Sequence, residues 1–159
     1  MTSLRSVAKI IKLVNVFIMN IPSYLSGALF MKAYKLLRIE VASCLQRYNL
    51  TPTSWVLLGI AKQAKDGIRL SEVAALMSVK APLVTTIVQI LVADGHVQLI
   101  SHHSDGRAKL LILTPSGKDF IKKVESTMDV LLTSMLEGAN KSDLKGFKKV
   151  LETLVNNSK

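Results

Sequence analysis

Gly95-His-Val-Gln-Leu-Ile-Ser-His-His-Ser-Asp-Gly-Arg-Ala-Lys-Leu-Leu-Ile-Leu-Thr-Pro-Ser-Gly117 is the stretch whose reading decides the fold. It reads as a strand, a tight polar turn, a second strand and the start of a helix. Val97, Leu99 and the run Leu110–Leu113 supply the strand residues. Ser104-Asp-Gly-Arg107 supplies the turn, with Asp105 and Gly106 making it.

Upstream of this hairpin the pattern is helical. Thr51-Pro52 is an N-cap followed by proline at the first helical position, opening a helix through about Ala64. Lys65-Asp-Gly67 is a turn and Ile68-Arg-Leu70 a short extended piece. Ser71 is expected to cap a brief helix from Glu72 to Met77, with the acidic residue in the first turn where the dipole favours it. Ser78-Val-Lys80 is a connecting turn. Pro82 starts the next helix, which ends at Asp94-Gly95, a glycine C-cap.

Long helices flank this middle part. One runs from about Ser23 to Tyr48, with Leu25, Leu29, Leu36, Ile39 and Leu45 among its apolar positions. Thr114-Pro115-Ser-Gly opens another of some twenty residues. A last helix follows Gly138-Ala-Asn140, with Leu144, Phe147, Leu151 and Leu154 on one face. The fold class expected is therefore mainly α with a small β-wing: a winged helix-turn-helix flanked by N- and C-terminal dimerisation helices. The 159 residues read as a single domain. Residues 1–48 and 118–159 are its dimerisation helices and 50–117 its DNA-binding region. Apolar stripes from both termini meet best in a homodimer, which also supplies the symmetry that two half-sites require.

Composition bounds the partners. The chain is 49% hydrophobic and 20% charged, with a formal net charge of +10 and a pI near 9.9, so polyanions are its natural partners. The excess is unevenly placed. Residues 1–50 carry seven Lys/Arg against one Asp/Glu, 51–117 six against four, and 118–159 eight against six. The reader segment is thus only mildly basic, and the motif carries more of the argument than the charge. Cys44 is the single cysteine, which fits a reducing, cytoplasmic setting and a small buried apolar role.

Leu13 to Met31 contains no charged residue and follows Arg5, Lys9 and Lys12, a pattern shared by signal peptides and membrane spans. Asn15, Asn20, Pro22, Ser23, Ser26 and Gly27 interrupt it, leaving Val16–Met19 as its continuous apolar run. A short helix over residues 4–19, with Leu4, Val7, Ile11, Val14 and Ile18 on one face, is the favoured reading, and no membrane partner is expected.

Three stretches give the chain a family resemblance: Leu50-Thr-Pro-Thr-Ser-Trp-Val-Leu-Leu58, Leu70-Ser-Glu-Val-Ala-Ala-Leu-Met77, and Asp105-Gly-Arg107 followed by Leu113-Thr-Pro-Ser-Gly117. In this order and spacing the chain, from about Ile21 to Val155, resembles the MarR (multiple antibiotic resistance regulator) family of bacterial repressors. The resemblance implies a homodimer with interlocking terminal helices and a recognition helix from about Pro82 to Ala93 in the major groove. It implies a wing whose arginine, matched by Arg107, reaches the minor groove or its phosphates. Many members respond to small aromatic ligands, and others to oxidation of a thiol near the amino terminus. This chain departs from the pattern at Lys80, where a serine or other cap is usual, and at Thr86 and Ile90, where arginines are common. Weaker affinity, an A·T-rich site and a partly lost DNA function are all compatible with those departures.

The residues support the same reading. Thr85, Thr86 and Gln89 suit base edges, Pro82 and Leu83 offer apolar contact, and Lys80 suits a phosphate. Val84, Ile87, Val88 and Leu91 are expected to face the core. In the wing, Arg107 and Lys109 are positive, and His102 and His103 become so below about pH 6.5. Adjacent histidines on a strand point to opposite faces, so a metal shared by His102, His103 and Asp105 is disfavoured. His96 reads as structural. No nucleophile elbow, phosphate-binding glycine loop or metal-ligand spacing occurs, so neither an enzyme nor a cofactor is expected. The function expected is a dimeric repressor on a pseudo-palindromic operator of double-stranded DNA, released by a small ligand. The alternative is a winged-helix protein-interaction module with weak or lost sequence reading.

Overall fold

A computed structural model describes residues 23–102 and 105–157, with backbone alone at 23, 102 and 105–108. The chain divides into two compact units, Met1–Ser43 and Cys44–Lys159. The expected helix over residues 4–19 lies outside the described residues, as do His103 and Ser104 of the hairpin.

Helix α1 (Ser23–Gln46) provides the described part of the first unit and enters the second with its last turn. Through Glu40 it buries none of its large apolar side chains: Tyr24, Leu29, Phe30, Met31 and Tyr34 are all exposed. Its C-terminus is set by Asn49, held at φ 54°, a left-handed geometry that asparagine tolerates better than most residues.

The second unit holds the core. Its further elements are α2 (Pro52–Gln63), β1 (Ile68–Arg69), α3 (Leu70–Met77), α4 (Ala81–Ala93), β2 (Val97–His102), β3 (Asp105–Leu113), α5 (Pro115–Met135) and α6 (Lys141–Asn157). Thr51 caps α2 as expected: its Oγ1 accepts from the Ser54 amide at 3.0 Å. The three strands form an antiparallel sheet in the order β1-β3-β2, with Ile68 opposite Leu111 and Val97 opposite Leu113. Leu111 is fully buried at the centre of the sheet. Around it the core gathers Leu45, Leu57, Leu58, Val73, Leu91, Val97, Ile121 and Met128, each at most 2% exposed.

Two local expectations are corrected. Ser71 does not cap α3. The helix begins at Leu70, and Arg69 precedes it in an extended conformation because it still pairs with Leu110 in the sheet. The Glu72 carboxylate accepts from the Arg69 amide at 3.3 Å, which leaves Ser71 inside the first turn. Asp105 and Gly106 do not form the hairpin turn but open β3. Asp105 pairs with His102. A register shift between Ser101 and His102 accompanies this pairing.

The end of the wing is locked onto α5. The Thr114 side chain accepts from the Gly117 amide at 2.9 Å, capping the helix, and donates to the Gly95 carbonyl at 2.6 Å. The Thr114 amide also bonds the His96 carbonyl at 3.1 Å. Gly117 passes so close to that carbonyl that a Cβ there would sit 1.8 Å from its oxygen. Only glycine fits, because the obstacle is backbone on both sides. Gly117→Ala should therefore lower stability by about 3 kcal/mol or more. Thr114→Val should cost about 1–2 kcal/mol through the lost cap. Urea unfolding monitored by circular dichroism measures both, and an unchanged Gly117→Ala midpoint would remove the close approach from the account.

Candidate nucleic-acid interface

The site is built from α3, the Ser78-Val-Lys80 turn, α4 and the β2–β3 hairpin. Helices α3 and α4 are bent 114° from one another across that turn. The bend is produced at Ser78, which sits at φ 53°. There the Val79 amide bonds the Ala74 carbonyl at 3.0 Å and the Ser78 amide bonds the Ala75 carbonyl at 3.1 Å. Helix α4 ends the same way. Gly95 sits at φ 73°, its amide bonds the Val92 carbonyl, and the His96 amide bonds the Leu91 carbonyl. This is a Schellman stop, and it turns the chain directly into β2.

Periodicity then decides what α4 presents. Val84, Ile87, Val88 and Leu91 are buried, as their spacing requires. Pro82, Thr86 and Gln89 run down the opposite, exposed face, with Thr85 on one flank and Leu83 and Ile90 on the other. Leu83 is 47% exposed and Ile90 54%. Lys80, in the N-cap position, is exposed. Among the described residues Gln89 makes no hydrogen bond, whereas both threonines are engaged. Thr85 donates to the Ala81 carbonyl at 3.2 Å and Thr86 to the Pro82 carbonyl at 3.1 Å.

The wing is the second part. Lys109 is exposed, stands opposite Ser101 on β2, and donates to its Oγ at 2.9 Å. Arg107 lies on β3 between Asp105 and Lys109, and His102 closes β2; their side chains lie outside the described part of the structure, as does all of His103. Behind the wing, the His96 ring stacks on Phe120 with centroids 3.8 Å apart, and Phe120 meets Tyr48 edge-on at 6.1 Å. Tyr48 OH bonds Thr127 Oγ1 at 2.5 Å. His96 is thus a packing residue between β2 and α5, as its position at the strand start suggests, with its Nδ1 buried and unpaired. Cys44, expected in the core, is half-buried.

Sequence patterning does not reveal a cavity of about 540 Å³ in the second unit, bordered by the end of α2, the end of β3 and the start of α5. Ala61, Ala64, Ile112 and Ile121 make it apolar, and Lys62, Lys65 and Lys118 line it. Lys62 is ion-paired with Glu125, while Lys65 and Lys118 have no ion pair among the described residues. The signal was weak because Lys118 lies far along the chain from Lys62 and Lys65.

Two helices crossed at this angle, joined by three residues and followed by an antiparallel hairpin, define a winged helix-turn-helix protein. Residues 50–109, which span the reader, match the model of the MarR family. Over that segment the chain is similar to this family of transcriptional regulators. No curated protein matches the sequence. Solved structures of the same fold include a MarR-family transcriptional regulator from Rhodococcus sp. RHA1, with a TM-score of 0.75 and 20% identity over 84% of this chain and 94% of that one. CouR from Rhodococcus jostii RHA1, bound to p-coumaroyl-CoA, gives 0.75 and 22% over 80% and 90%. A cysteine-to-serine mutant of MarR from E. coli, complexed with operator DNA, gives 0.70 and 18% over 80% and 91%. Among the described residues no single helix is long and apolar enough to cross a membrane.

The two faces of α4 make opposite demands on stability. Leu91→Ala should cost about 2–5 kcal/mol, because it opens a cavity beneath the helix. Ile90→Ala, one residue earlier and exposed, should stay within about 0.5 kcal/mol of the parent. Denaturant unfolding of the pair checks this, and similar losses for both would mean that Ile90 is not on the open face.

Proposed function

We propose that the protein is a homodimeric repressor that occupies a pseudo-palindromic DNA operator and is released by a small ligand. The observation that carries the reading is the division of α4. Four residues anchor it in the core while Pro82, Leu83, Thr85, Thr86 and Gln89 are exposed along its first turns, where a major-groove helix meets base edges. Lys80 before the helix and Lys109 on the wing supply positive charge on either side, and Arg107, His102 and His103 stand in the sequence of the wing as further candidate contacts.

Residues 1–48 and 118–159 act as the dimerisation helices. The bare apolar residues of α1 support this, as does the stripe Leu144, Phe147, Leu151 and Leu154 on α6, which buries no residue against its own chain. Exposed apolar runs of that length mark protein interfaces. The ligand is a small aromatic anion. The lysine-lined cavity between α2, β3 and α5 has the volume and the apolar walls such a molecule needs. A structural neighbour that carries p-coumaroyl-CoA supports ligand response in a chain of this fold. The dimer acts in the cytoplasm, where its operator is.

Binding to duplex DNA at a series of salt concentrations tests the proposal. Arg107→Ala should weaken binding to all sequences and reduce the salt slope by about one unit. Gln89→Ala should relax preference at one base position, at a cost of about 1–3 kcal/mol. An unchanged slope takes Arg107 out of the phosphate contacts, and uniform weakening takes Gln89 out of base reading. One observation favours a second reading, a protein-interaction module: α4 contains no charged residue from Ala81 to Ala93. A mobility shift with the DNA flanking its own gene separates the two, since a module without sequence reading forms no specific complex even at low salt.

A further inference from the structure

The open face of α4 is poor in groups that read guanine. Direct readout of guanine relies on Arg or Lys donating to O6 and N7, and α4 carries neither. Its threonines are compromised as donors as well. The hydroxyl protons of Thr85 and Thr86 are committed to the Ala81 and Pro82 carbonyls. Each therefore offers a partner its methyl group and oxygen lone pairs. Beside Thr86, at helical spacings of three and four residues, stand Leu83 and Ile90, both about half exposed. The result is a strip of aliphatic carbon with a single unpaired amide, Gln89, next to it.

In the major groove one base presents aliphatic carbon of its own: thymine, through its 5-methyl group. We propose that α4 selects its site chiefly by apolar contact with thymine methyl groups, through Leu83, Thr86 and Ile90. Gln89 takes the adenine of a neighbouring pair through N6 and N7. This rests on the DNA-binding reading above and specifies what that site recognises. It also accounts for two exposed aliphatic side chains on a helix that would otherwise carry polar ones. Discrimination then comes from excluded water and contact area, and it is lost when one methyl group is removed, even with every base-pair hydrogen bond intact.

The test starts with the full-length protein selecting duplexes from a random-sequence DNA pool at low salt. The selected site is resynthesised with deoxyuridine for thymine, which deletes the methyl and keeps the pairing. Affinity is measured by fluorescence anisotropy. Each contacted thymine should account for about a fourfold loss, the value of one buried methylene-sized group. Deoxyuridine placed outside the selected site should change nothing. Leu83→Ala and Ile90→Ala, both at exposed positions, should bind the thymine duplex more weakly and lose the difference between thymine and uracil. Equal affinity of the parent protein for the two duplexes would overturn the inference while leaving DNA binding intact. Failure to enrich any sequence would overturn the DNA reading and this inference with it.

Discussion

The close approach of Gly117 to the His96 carbonyl is the constraint on which the arrangement of the second unit depends. It brings the first turn of α5 against the chain where α4 gives way to the wing. Thr114 secures the contact from both sides, capping α5 while donating to Gly95. The sequence Leu113-Thr-Pro-Ser-Gly117 is short because each residue has a fixed task. Leu113 fills the core opposite Val97, Thr114 bonds both neighbours, Pro115 starts the helix, and Gly117 makes room. The stacked His96 and Phe120 rings then cover the joint.

With its end fixed there, α4 has little freedom in how it faces outward. The glycine stop at Gly95 sets where the helix ends, and the 114° bend at Ser78-Val-Lys80 sets where it begins. Its buried side is ordinary aliphatic packing. Its open side is unusual in being almost as apolar, so little but position distinguishes the two. That is why burial, rather than composition, identifies the surface available to a partner. Positive charge is left to the turn before the helix and to the strands after it, so under the proposed function lysines attract the polyanion and the helix discriminates.

Much of this was legible in the sequence. The spacing of Val84, Ile87, Val88 and Leu91 places them in the core, where they are buried, and Thr51-Pro52, Gly95 and Thr114 mark their helix ends. The misses have physical causes. Ser71 is a good cap residue, but pairing of Arg69 with β3 fixed the helix start two residues earlier than serine capping requires. Asp-Gly is a strong turn signal, yet the register of β2 against β3 moved the turn ahead of it. The engaged hydroxyls of Thr85 and Thr86 were invisible because a sequence states that a hydroxyl exists, not where its proton goes. The lysine-lined cavity was invisible because it is assembled from elements far apart in the chain. Of the terminal stripes, Leu144, Phe147, Leu151 and Leu154 lie on α6, which has no buried residue among the described residues.

The junction at Gly117 also governs where the chain can change in length. Between Gly95 and Gly117 the backbone is tied at both ends, so an inserted residue near Thr114 would break the cap, the two carbonyl bonds and the close contact at once. Within the paired strands it would move side chains such as Leu111 from one face of the sheet to the other. Only the segment beyond the Ser101–Lys109 pair, where the register breaks, lies outside these ties. The wing can therefore grow or shrink at its tip while its base keeps one geometry, so its reach toward a partner can vary independently of the fold that carries it.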